Sequence, residues 1–72
     1  MRHTEADLRT AARHVAGGEA RVERQLALID RMSTKGHDTA GADSVLATMQ
    51  ATLMHFRHHL ALIESDRQQA AP

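Results

Sequence analysis

Leu46, Met49, Leu53, Phe56, Leu60 and Ile63 follow one another at alternating intervals of three and four residues, without a break. That spacing returns each side chain to the same side of an α-helix and does not fit a strand, whose faces alternate every second residue. The first half carries a matching row, Leu8, Ala12, Val15, Val22, Leu26 and Ile29, with Glu19 in the seat between Val15 and Val22. Between the rows stands Lys35-Gly36-His37-Asp38-Thr39, a helix stop followed by a helix start. The pattern predicts an all-α chain: a helix over residues 4–34, a turn over 35–39 and a helix over 39–68, folded back as an antiparallel hairpin in a single domain of residues 1–72. Each helix would be ~45 Å long at 1.5 Å per residue, and equal lengths with a short loop are what a hairpin needs.

The ends of these helices are written in the sequence. Thr4 suits an N-cap, because its hydroxyl can accept from an otherwise unpaired first-turn N–H, and Glu5 and Asp7 place anions where the helix dipole favours them. Gly36 suits a left-handed residue just past the first helix, and Lys35 places a cation at its C-terminus. Asp38 or Thr39 can cap the second helix, and Gln69-Ala70-Ala71-Pro72 reads as a frayed tail. Gly17-Gly18 is the weak spot, costing roughly 1 kcal/mol per glycine relative to alanine in a helix. Gly18 lies at the edge of the apolar arc, where close approach of a second backbone would repay that cost, whereas Gly17 lies outside it.

Length sets the next constraint. A chain of 72 residues buries too small a share of its surface to be comfortably stable alone, and the usual remedies are disulfides, a metal or oligomerisation. The absence of cysteine removes disulfides and thiolate ligands, leaving self-association first and a histidine-bound metal second. The apolar arcs are broader than a two-stranded seam. Val45 and Thr52 widen the second helix, and Ala47, Ala51 and Leu62 form a further strip interleaved with His55 and His58. Arcs of this width fit a helix with two neighbours, so a homodimer of hairpins closing into a four-helix bundle is expected. Its core or oligomer interface would be Val15, Val22, Leu26, Ile29, Leu46, Met49, Leu53, Phe56, Leu60 and Ile63. Met32, Met49 and Met54 would act as core filler. Capture of a helix from another protein would use the same apolar face.

Nine Lys and Arg balance nine Asp and Glu, so no net field calls for nucleic acid or an anionic membrane. Helix 1 does project Arg9, Arg13, Arg24, Arg31 and Lys35 as a basic stripe, but flanking Glu5, Glu23 and Asp30 make it read as a solvated charged face. Nucleic-acid binding is the weaker rival. No stretch approaches the ~20 apolar residues of a membrane span, and the opening residues lack a signal-peptide core, so a cytoplasmic setting is expected.

Six histidines are the compositional oddity. His55 and His59 stand four apart, the spacing at which two imidazoles on a helix share a metal. Pairing about residues 37 and 38 would bring Glu19 within a turn or so of them and His14 beside Ala61. His55, His59 and Glu19 are therefore the candidate ligands for Zn²⁺, against a polar cluster that merely satisfies its own hydrogen bonds. No nucleophile elbow, phosphate-binding glycine loop or Glu-x-x-His pair is present, and an enzyme is not expected.

Taken together, His14-Val15, Glu19, Arg24-Gln25, Leu28-Ile29 and Gly36-His37-Asp38-Thr39 resemble a group of small uncharacterised two-helix proteins of alphaproteobacteria. In that group a leucine-rich second helix ends in a His/Arg cluster, and this chain departs there in its more apolar Leu60-Ala61-Leu62. The resemblance implies a helical hairpin in a bacterial cytosol and assigns no activity or catalytic residue.

Overall fold

The computed structural model describes residues 3–70, and within them the chain is two α-helices, α1 (Glu5–Thr34) and α2 (Ala40–Ala70), joined by a tight reversal. The expected N-cap is made by Thr4. Its hydroxyl accepts from the Asp7 N–H at 3.1 Å while the Asp7 carboxylate accepts from the Thr4 N–H at 2.9 Å, a reciprocal capping box. The C-terminus of α1 closes as a Schellman motif. Gly36 takes φ +76, the His37 N–H donates to the Met32 carbonyl at 2.9 Å, and the Gly36 N–H donates to that of Ser33 at 3.0 Å. Asp38 then accepts from the Ala40 N–H at 3.0 Å and opens α2. The chain thus turns at Gly36, slightly before the midpoint that equal helices imply. α2 continues through Gln69 and Ala70 rather than fraying after residue 68, since Gln and Ala are both good helix formers; Ala71 and Pro72 lie outside the described residues.

The helices pack along one seam. In α2 the seam is the row read from the sequence, with Leu53 and Ile63 buried and Leu46, Met49, Phe56 and Leu60 half-buried. In α1 the register differs from the expectation. Leu8, Val15, Val22 and Ile29 recur every seven residues, and the second row of the seam can lie four residues on (Ala12, Glu19, Leu26) or three (Ala11, Gly18, Gln25). The structure takes the second: Ala11, Gly18 and Gln25 are buried and Leu26 stands 48 % exposed, outside the hairpin core. The reason is physical. The first row would bury the Glu19 carboxylate, a costly step without a partner. The second carries two small residues that let α2 come close, and a Gln25 amide that donates to the Ala42 carbonyl at 2.9 Å.

Gly18 is a point of tight packing against α2. A Cβ placed there would lie 3.0 Å from Leu53 Cδ1 and 3.5 Å from Phe56 Cδ2, whereas one at Gly17 would meet nothing within 4 Å. α1 runs through the pair without a break. The resulting rod measures 58 × 15 × 13 Å. Its open end is tied by His3, whose N–H donates to Asp66 Oδ2 at 3.1 Å with the ring Nδ1 3.4 Å from the same oxygen. None of the described helices is long and apolar enough to cross a membrane.

Candidate functional site

α2 has an outer face opposite the seam, formed by residues that recur at three-four spacing half a turn away from it: Ser44, Ala47, Ala51, Met54, His55, His58, Ala61 and Leu62. All are exposed, Met54 at 71 % and Leu62 at 54 %. Met54 thus lies outside the hairpin core, on the side of α2 that points away from α1. Arg57 is the one Lys, Arg, Asp or Glu between residues 44 and 63, and it turns aside to Glu19, Nη2 to Oε2 at 3.2 Å. Met54, His55 and His58 line a single depression of about 280 Å³ on this face. The other side of the molecule is unlike it. α1 carries ten Lys, Arg, Asp and Glu residues, and the basic stripe of Arg9, Arg13, Arg24, Arg31 and Lys35 is exposed there, with Arg9 paired to Glu5 at 3.8 Å one turn away.

The expected His55, His59 and Glu19 set is divided among three places. Glu19 faces Arg57, His55 joins His58 and Met54 on the outer face, and His59 lies on the flank of the seam. There His59 meets the His3 ring edge-on, with centroids 6.1 Å apart, and together with Asp7, Thr10, Ala11 and His14 they line a shallow depression of about 300 Å³. His14 packs against the Phe56 ring, centroids 5.1 Å apart, rather than beside Ala61. Among the described residues, no three His, Cys, Asp or Glu side chains of one chain are placed to share a metal ion.

Two carboxylates are tuned by this end of the molecule. The backbone N–H of His3 holds the Asp66 carboxyl below its ordinary range, and the backbone N–H of Thr4 does the same for Asp7. Sequence reading missed His3 and Asp66 as partners, because pairing about residues 37 and 38 sets His3 opposite the last residue of the chain, six positions beyond Asp66. It also placed His59 with His55 on spacing alone. Residues four apart differ by 40° around a helix, enough here to send one to the flank and leave the other on the outer face. The chain matches no family model, no curated protein and no solved structure.

Proposed function

We propose that this protein is a non-enzymatic interaction module whose hairpins pair as a homodimer through the outer faces of α2, giving a four-helix assembly with the two α2 helices at its centre. The observation that carries this reading is the uncharged, partly apolar outer face of α2, set against the charge-dense outer face of α1. Among the described residues no other long face lacks charge, so the surface that α2 can cover without stranding ions is a second copy of itself.

Surface area supports the same reading. The hairpin exposes 5429 Å² at 7.9 kDa, about 1,000 Å² more than a compact monomer of that mass is expected to expose. That excess is close to the ~800 Å² that each partner contributes to an ordinary stable interface. Among the described residues, Ala11, Leu53 and Ile63 are the buried apolar side chains of the hairpin. A core this small gains from any further burial.

Sedimentation equilibrium in the presence of a chelator tests the proposal. The wild-type chain should sediment as a dimer, and the double variant Met54→Lys, Leu62→Glu should be a monomer with its helical circular dichroism retained. A wild-type chain that stays monomeric at tens of micromolar both in chelator and after zinc replaces the chelator, or a double variant that still dimerises, would overturn it.

A further inference from the structure

We infer that His55 and His58 of two copies together form a four-imidazole site for one Zn²⁺ at the centre of the α2–α2 contact. The inference rests on the reading that these outer faces meet. Its own support is the convergence of the two imidazoles: His55 and His58 line one depression, shared only with Met54, in the middle of the uncharged face. Residues three apart on a helix stand ~5–6 Å apart at Cβ, within reach of a common ion. One pair alone is half a site, since zinc in a closed site takes four donors with tetrahedral geometry.

A second copy supplies the other half by symmetry. Antiparallel apposition about a two-fold axis passing between residues 56 and 57 sets His55 opposite His58 of the second copy, and His58 opposite its His55. The same register sets Leu62 opposite the second copy's Ala51, so that a large side chain meets a small one on either side of the metal. Neutral imidazole nitrogens are good zinc donors, and the site involves no change of oxidation state. The other histidine group is a poorer candidate within one chain. His3 is held to Asp66, His14 lies against Phe56, and His59 meets the His3 ring edge-on.

Zinc titration of the untagged full chain, followed by calorimetry, native mass spectrometry and sedimentation, tests this. One zinc per two chains on a dimer mass is expected. Loss of a direct ligand in His55→Ala or His58→Ala should weaken zinc binding by more than the ~10–100-fold typical of losing a supporting second-layer partner. His59→Ala should leave it unchanged. One zinc per chain without a change of mass, binding that survives His55→Ala and His58→Ala, or no zinc uptake would each overturn the site. A dimer in chelator that takes no zinc sinks this inference and leaves the dimer standing, whereas a monomer with and without zinc sinks both. A dimer seen only with zinc supports the site.

Discussion

α1 and α2 differ by one residue in length and share a seam, yet their outward sides are opposites. α1 is an ordinary surface helix, with an apolar stripe inward and charge outward. α2 is apolar or uncharged nearly all round between residues 44 and 63. A helix without a charged side is normally one that is covered on every side. The lesson is that a hairpin can be complete as a fold and still be unfinished as a surface.

The shared seam gives the largest effect. Ile63, 1 % exposed, and Leu53 should each cost about 2–5 kcal/mol on truncation to alanine, measured by urea unfolding. A negligible shift would mean that the two helices do not depend on each other as described. The contrast between outer faces comes next. Leu62→Lys should weaken dimerisation by at least about tenfold, or ~1.4 kcal/mol, while Ala27→Lys on the exposed side of α1 should leave both mass and melting midpoint in place. Equal effects from the two substitutions would erase the difference between the helices.

The glycine pair sharpens the same comparison on a smaller scale. Gly17→Ala adds a methyl group in open space and should stabilise α1 by roughly 1 kcal/mol. Gly18→Ala forces a Cβ to 3.0 Å from buried Leu53 and should fall short of that gain by about 1–3 kcal/mol, giving a lower melting midpoint than Gly17→Ala. The smallest expected effect is electrostatic. Asp66 and Asp7 have folded pKa values below their ordinary 3.8, so the unfolded chain takes up protons first as pH falls. Their contribution is complete above the ordinary carboxylate range and fades as pH drops through the folded values. Asp66→Asn should flatten that acid limb in a pH series of thermal melts; an unchanged limb would dismiss the contact with His3 as a source of stability.

Much of this hairpin is legible in the residues alone. Thr4, Gly36 and the unbroken row from Leu46 to Ile63 each have one good local solution, and the fold adopts it. Gly18 was legible as a close contact from its place at the edge of the apolar arc, but what approaches it is the Leu53 and Phe56 side chains rather than a second backbone. The rotation of α1 was not, because Leu8, Val15, Val22 and Ile29 serve two seams equally well. Deciding between them requires weighing a buried Glu19 against a buried Gln25, and the Ala42 carbonyl that satisfies Gln25 arrives only with α2. The histidines were harder still. His55, His58 and His59 are neighbours in sequence, and only the packed hairpin tells which belong to the flank and which to the outside.

The contact between His3 and Asp66 places both termini of the described chain at one pole of a 58 Å rod, with the turn at the other. Cargo attached at either end would therefore leave from the same tip. If two rods lie antiparallel, those tips point away from each other, and the pair becomes a spacer that holds two loads apart by its own length.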